Sequence, residues 1–415
     1  MNKPKNINRR EFLKLFGMGA AATTALAACT TNSKPTEGKK PHEEVPTDKM
    51  TYRKHPKTGE QVSILGYGCM RWPTKETADG KDEEIDQEAV NALVDYAIAH
   101  GVNYFDTAPP YCRGLSEKVT GIALKRHPRK SYYIATKMSN FDVIDKGLSP
   151  KESFDTSVEM YRNSLRDLQT DYIDLFQFHN PAVLPDPNDP DGPFAAALEM
   201  QQKGYIRHIG ITNHRPRVAK DAIASGNFET LQFPFCYLAT ETDYALVEGC
   251  KRADMGFIAM KGLSGGMLNN AEACYAFMQQ YDNVVPIWGI QHEWELDQWL
   301  ELTERNPRLT PELRAVIERD RKELAGNFCR SCGYCLPCAA NIDIPQSARM
   351  AALLRRSPYQ KFMTDEWYEK MHRIENCIHC NACKSRCPYG LDTPALLQLM
   401  LKDYDAFYAE HHNDK

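Results

Sequence analysis

The sequence predicts an α/β protein: a closed (β/α)8 TIM barrel followed by a small, mainly helical domain rich in cysteine. Three observations predict it. From residue 61 to about 305, short apolar runs alternate with amphipathic segments of helix length, and eight such pairs over about 250 residues are the count and size of a closed parallel barrel. Eight of the fourteen cysteines fall in roughly the last hundred residues. With 42% hydrophobic residues the chain buries more than one core. A net charge of −4 with no long basic tract leaves no footprint for nucleic acid.

In chain order, residues 8–17 come first and read NRREFLKLFG. Arg9 and Arg10 before an apolar run match a twin-arginine (Tat) export signal, whose pathway carries folded proteins. The run from Leu13 to Ala28 is too short and too rich in Gly and Ala to span a bilayer, which takes about 20 apolar residues. It ends in Leu26, Ala27, Ala28 and Cys29, which resembles a lipobox. Cys29 would then be the lipidated first residue of the mature chain, with residues 1–28 removed and the protein held extracytoplasmically or in the periplasm. Each buried methylene of the acyl chains adds about 0.8 kcal/mol of membrane affinity. GMGAAA, from Gly17, mimics a dinucleotide fingerprint but follows no strand. Residues 29–50 are polar, contain Pro35, Pro41 and Pro46, and read as a tether.

The barrel is expected over residues 51–309. Its strand-like runs are VSILGYG, VNYFD, YYIATK, YIDLFQFH, IRHIGITN, LQFPF, GFIAMK and VVPIWG. Between them lie amphipathic segments such as EKVTGIALKR, SFDTSVEMYRNSLRDLQ and AEACYAFMQQY. A doubly wound open sheet is the alternative, weakened because no glycine fingerprint follows the first strand. In a barrel the chemistry sits at the carboxyl ends of the strands, and those ends are polar here. Asp106 ends the second run, Tyr111 lies in the loop after it, Lys137 ends the third, His179 the fourth, and Thr212 and Asn213 the fifth; Gln232 is within the sixth. The cysteines of this region, Cys69, Cys112, Cys236, Cys250 and Cys274, share no spacing and read as buried apolar residues or unpaired thiols.

The segments FDTAPPYCRGLSE, IATK, SLRDLQTDYIDLFQFH, IGITN and LQFPF resemble, in order, the corresponding segments of aldo-keto reductases. The resemblance implies a catalytic tetrad of Asp106, Tyr111, Lys137 and His179, with Thr212, Asn213 and Gln232 around a nicotinamide. Reducing a carbonyl by hydride needs an acid to protonate the alkoxide, and Tyr111 would be that acid. Lys137 is expected to lower its pKa, Asp106 to hold Lys137, and His179 to orient the substrate oxygen and join the proton relay. Two places depart from the family pattern. Met260 stands where many members stack an aromatic residue, and after the eighth strand His292, Glu293 and Glu295 replace basic side chains. The cofactor implied is therefore NAD(P), with NAD against NADP left open. The turn from Gly262 through Gly265 and Gly266 is the candidate pyrophosphate cradle.

Residues 310–415 are expected to form the second domain. Cys377, Cys380, Cys383 and Cys387, then Pro388, follow the C-x2-C-x2-C-x3-C-P run of bacterial ferredoxins, whose fourth cysteine ligates the other cluster. By that crossing Cys329, Cys332, Cys335 and Cys387 hold one 4Fe-4S cluster, and Cys377, Cys380, Cys383 and Cys338 the second. The first group departs in having Ala339 where proline is usual. Zinc in all-cysteine sites and disulfides compete, but neither accounts for the Cys-Pro at ferredoxin spacing. Iron-sulfur-containing relatives of the aldo-keto reductases end in such a domain, so the resemblance covers most of the chain.

Together these readings point to an exported, membrane-anchored oxidoreductase acting on a small carbonyl or alcohol, passing electrons through two 4Fe-4S clusters to an unknown redox partner. The alternative is a ferredoxin-like electron carrier on a catalytically silent barrel. A cobamide-dependent exported reductase also pairs such a signal with two clusters, but does not explain the barrel motifs.

Overall fold

The computed structural model describes residues 49–77, 83–139, 148–324 and 328–412. The export signal, Cys29 and nearly all of the expected tether lie outside the described residues. Among those described, no helix is long and apolar enough to cross a membrane.

Eight parallel strands close into a barrel: β1 (Gly66–Gly68), β2 (Tyr104–Asp106), β3 (Tyr133–Ser139), β4 (Ile173–His179), β5 (Ile206–Thr212), β6 (Thr230–Pro234), β7 (Gly256–Met260) and β8 (Val284–Gly289). The ring closes where Ile287 of β8 pairs with Gly66 of β1. Strands of a parallel barrel are covered on both faces and so read as continuous apolar runs; in β4 every residue but His179 is buried. The run VSILGYG, expected as one strand, is divided. Gln61–Ser63 pairs antiparallel with Tyr52–Lys54, and only the glycine-flanked Tyr67 segment enters the barrel. Gly66 explains the division: a Cβ there would lie 2.7 Å from the Pro286 carbonyl oxygen, so a side chain would push β1 off β8.

One helix follows each strand: α1 (Gln87–Ala99), α2 (Ser116–Leu124), α3 (Pro150–Asp167), α4 (Pro193–Gln202), α5 (Pro216–Ser225), α6 (Glu241–Arg252), α7 (Ala271–Met278) and α8 (Glu293–Arg305). Their starts are written locally. Ser149 and Glu152 form a reciprocal capping box at α3, with proline in the first turn, and Thr240 and Asp243 do the same at α6; each satisfies N–H groups a helix end leaves unpaired. The next helix, α9 (Pro311–Glu323), packs Leu313 and Ile317 into the barrel core. The expected domain boundary after residue 309 thus precedes a helix that belongs with the barrel.

The remaining chain is mainly helical, with α10 (Met350–Arg356), α11 (Asp365–His372) and α12 (Thr393–His411) around a core of its own that includes Ile342, Met350, Leu354, Ile374, Leu397 and Tyr404. It carries an internal repeat. Five residues after Cys338 and again after Cys387 stands an aspartate, Asp343 or Asp392, whose side chain caps a helix with proline in its first turn. One barrel residue, Met267 from the loop after β7, is fully buried in this second core.

Candidate active site

The floor of the site is an ion pair. Asp106 ends β2 and Lys137 sits on the neighbouring β3, both 1% exposed, with Lys137 Nζ donating to Asp106 Oδ1 at 2.6 Å and to the Thr107 carbonyl oxygen at 2.7 Å. The other carboxylate oxygen accepts from two amides, Gln177 Nε2 at 3.3 Å and Gln232 Nε2 at 3.2 Å. A buried charge pair is stable only when its remaining lone pairs are satisfied, and these amides do that. Gln232, expected beside a nicotinamide, therefore serves Asp106. Gln177 was not singled out in the sequence; its signal was its place two residues before His179, on the same face of β4.

Tyr111 follows in the loop after β2, with the Lys137 ammonium 4.9 Å from its ring centroid. His179 meets the same ring edge-on, centroids 6.2 Å apart, and pairs in register with Thr212 of β5. The four tetrad candidates thus converge. Burial raises the Tyr111 phenol above its ordinary pKa, and the Lys137 ammonium only partly offsets this. The expected lowering is overturned because burial in a closed site outweighs one nearby charge. For Lys137, burial works against the charge, but Asp106 and Tyr111 prevail and raise its pKa. Burial, aided by Lys137, pulls His179 down to about 3. At neutral pH Tyr111 is a phenol, Lys137 an ammonium and His179 a neutral imidazole.

Several positions expected to hold a nicotinamide dinucleotide are engaged by the chain itself. Asn213 Nδ2 donates to the Pro181 carbonyl at 2.9 Å, and its Oδ1 accepts from the Arg215 N–H at 2.8 Å. Thr212 is buried, and Met260 ends β7 with its carbonyl oxygen accepting from Phe235 N–H at 3.0 Å. Gly262 is a packing glycine, since a Cβ there would lie 2.6 Å from the Trp288 ring. Gly265 (φ +69) and Gly266 (φ +89) make the turn itself, and the Gly265 carbonyl accepts from Arg349 Nη1 at 3.1 Å. At the start of α8, Glu295 Oε2 accepts from the N–H groups of Gln291 (2.7 Å) and His292 (3.1 Å). The loops after the seventh and eighth strands are the usual phosphate site of such barrels. Here the loop after β7 meets the C-terminal domain while Gly265 and Gly266 themselves stay exposed, and the loop after β8 is capped by a carboxylate.

The cysteines do fit clusters. Cys329, Cys332, Cys335 and Cys387 line one small cavity together with Ile344, Leu391 and Leu396. Cys338 and Cys377 lie in the electrostatic neighbourhood of Cys383, while Cys380 is exposed nearby in sequence. The four thiols of the cavity surround apolar walls, as a soft thiolate-ligated group requires. Burial raises Cys329, Cys332 and Cys335 as free thiols, the last to about 12; bound metal inverts that preference by holding the thiolates. The barrel cysteines are free, with Cys69, Cys250 and Cys274 buried.

The cluster loops stand on the catalytic end of the barrel. Lys261, just past β7, donates to the carbonyl oxygens of Arg330 (3.2 Å) and Ser331 (3.1 Å). His214, just past β5, packs its ring 5.1 Å from that of Tyr334 and shares a 3.2 Å hydrogen bond with the Tyr389 hydroxyl. Tyr334, between Cys332 and Cys335, is near enough to Tyr111 for their charges to interact. Sequence reading singled out none of Lys261, His214, Tyr334 and Tyr389. Lys261 ends a strand run as Lys137 does, and both tyrosines lie within or just past a cysteine group.

Residues 64–321 match the aldo/keto reductase family, and the chain belongs to that family. Residues 328–392 match the 4Fe-4S dicluster domain. A solved aldo-keto reductase, AKR11C1 from Bacillus halodurans (holo form), superposes with a TM-score of 0.53 at 25% identity, covering 65% of this chain and 96% of that one. The oxidoreductase YqkF of Bacillus subtilis is 32% identical over 45% of this chain and 56% of its own length. The aldo-keto reductase YhdN of the same organism is 30% identical over 53% and 64%. The match thus spans a little over half of these two relatives.

Proposed function

We propose that this protein is an exported, lipid-anchored oxidoreductase that interconverts a small carbonyl compound and its alcohol at the tetrad, exchanging electrons with a redox partner through two 4Fe-4S clusters. The observation that carries the reading is the buried Lys137–Asp106 pair beneath Tyr111, at the barrel end on which the cluster loops lie.

Reduction of a carbonyl consumes two electrons and two protons. Tyr111 supplies the proton that goes to oxygen; the proton that goes to carbon comes from solvent, and the two electrons would arrive one at a time through the clusters. Tyr111, a phenol at neutral pH, donates its hydroxyl proton to the oxygen as negative charge develops there, and Lys137 stabilises the phenolate left behind. Asp106, held by Gln177 and Gln232, fixes Lys137. Neutral His179 hydrogen-bonds the substrate oxygen and orients it. Cys329, Cys332, Cys335 and Cys387 would hold one cluster and Cys338, Cys377, Cys380 and Cys383 the other, and the clusters would supply one-electron exchange. No step of this reading is routed through a nicotinamide.

Export follows from Arg9, Arg10 and Cys29 in the order of a lipoprotein signal, a route suited to a chain whose clusters are inserted before it crosses. Replacing Arg9 and Arg10 by lysine is expected to leave the protein in the cytoplasm, and Cys29→Ala to release it from membranes, both read by fractionation. The activity is tested with Tyr111→Phe. Carbonyl or alcohol turnover is expected to fall at least about 100-fold, the usual worth of a general acid, with cluster spectra unchanged. Full electron transfer without any such turnover in the native protein would favour the electron-carrier reading.

A further inference from the structure

The loop after β7 carries the inference. In barrels of this architecture the loops after the seventh and eighth strands hold a ligand's phosphates. In this chain that loop is a docking platform for the dicluster domain. Lys261 reaches the carbonyls between Cys329 and Cys332, Arg349 holds the Gly265 carbonyl, Arg356 Nη1 holds the Met267 carbonyl at 3.2 Å, and the Met267 side chain is buried in the second core. From the neighbouring barrel ends, Asp243 in the first turn of α6 lies 3.5 Å from Arg330 and the guanidinium of Arg215, just before α5, lies 5.3 Å over the Tyr334 ring. Three successive barrel ends thus hold the dicluster domain, and the anion-favouring start of α8 already holds Glu295.

We infer that the dicluster domain stands in the place of a dinucleotide: the cluster held by Cys329, Cys332, Cys335 and Cys387 faces the tetrad directly, with Tyr334 between them and Lys261 as the cation beside that cluster. The inference rests on the proposed activity for its meaning, but not for its test. Lys261 ties the two halves together, because its ammonium is hydrogen-bonded to the cluster loop and sits in the electrostatic neighbourhood of Cys329 and Cys332. A cation there stabilises the reduced, more negative cluster.

Two measurements on the full-length, cluster-loaded protein, kept free of oxygen, decide it. Titration with NADH and with NADPH, followed by calorimetry, is expected to show no saturable binding up to about 1 mM, the top of the usual substrate range. One-per-chain binding below that overturns the inference. The second is an EPR-monitored redox titration of Lys261→Gln. One cluster's potential is expected to fall while the other stays, and Lys261→Arg is expected to restore it. Unchanged potentials in Lys261→Gln mean that Lys261 does not stand beside the cluster, and also overturn it. Neither readout uses turnover, so loss of the proposed activity and failure of this inference are separately visible: a dinucleotide-binding protein inactivated by Tyr111→Phe would keep the first and sink the second.

Discussion

Asp106 and Lys137 illustrate how much a single residue carries when it is buried. Each neutralises the other, and removing one leaves an uncompensated charge, a change that costs about 3–5 kcal/mol. Asp106→Asn is therefore expected to lower urea stability by that amount, whereas the apolar double variant Asp106→Leu with Lys137→Met should recover most of it; equal losses would mean that the charges do not act as a pair. His179 sets an acid limit. Its folded pKa of about 3 lies below the unfolded value near 6.5, so as pH falls the unfolded chain takes up this proton first. Its contribution is complete above about pH 6.5 and is lost progressively towards pH 3. Lys137, Tyr111 and His214 face it, and none supplies a carboxylate to reverse the sign. In thermal melts across that window, His179→Gln should show a shallower loss than the native protein. For Tyr111 the raised pKa keeps the acid form through neutral pH. The reductive kcat/KM is then expected to stay level from pH 6 to 9 and to fall only above the ordinary phenol value near 10; a break below neutrality assigned to Tyr111 by its loss in Tyr111→Phe would overturn this role.

At the scale of elements, two tendencies compete at Gly121 in α2. Alanine would favour the helix by roughly 0.5–1 kcal/mol, but a Cβ there would lie 2.5 Å from the Leu168 carbonyl carbon and 2.6 Å from the Asp167 carbonyl oxygen. Both are backbone atoms at the end of α3 and have nowhere to go. Overpacking of this kind costs about 1–3 kcal/mol, so Gly121→Ala is expected to destabilise, as read by the denaturation midpoint; a stabilised variant would mean that α2 and α3 separate more easily than their packing implies. The β4 strand shows a different element effect. Its period of two places Gln177 and His179 on the barrel interior, so one strand supplies both a brace for Asp106 and a member of the tetrad.

Over the whole molecule, the C-terminal domain is held by its own apolar core, and the clusters would act as cross-links within it. Binding a metal group is then folding free energy. Cys387→Ser is expected to lose one cluster, read as iron and sulfide content, and to open residues 328–412 to protease while the barrel survives. The joint between the halves is also polar: Arg356 Nη2 lies 3.0 Å from Asp320, which accepts from the Tyr237 hydroxyl at 2.5 Å. That triangle spans barrel and C-terminal domain, so protease sensitivity in Arg356→Met should rise in both halves together.

How much was legible follows from the range of each interaction. Runs such as YIDLFQFH and IRHIGITN announce buried parallel strands through periodicity, a signal within one element. The Cys-x2-Cys spacings announce a cluster loop for the same reason, and the barrel with a dicluster domain was determined by sequence alone. The polar residues at strand ends were legible as candidates because a barrel brings those ends together whatever the loops do. Tertiary structure decided the rest. Gln232 turned to Asp106, Gly262 to Trp288 and Gly265 to Arg349, partners that no local pattern names. The phenol of Tyr111 rose because the site is closed around it, and Lys261 found its partners roughly seventy residues along the chain. Periodicity and spacing record what a segment does within itself, whereas burial and long-range hydrogen bonds depend on what another segment places against it.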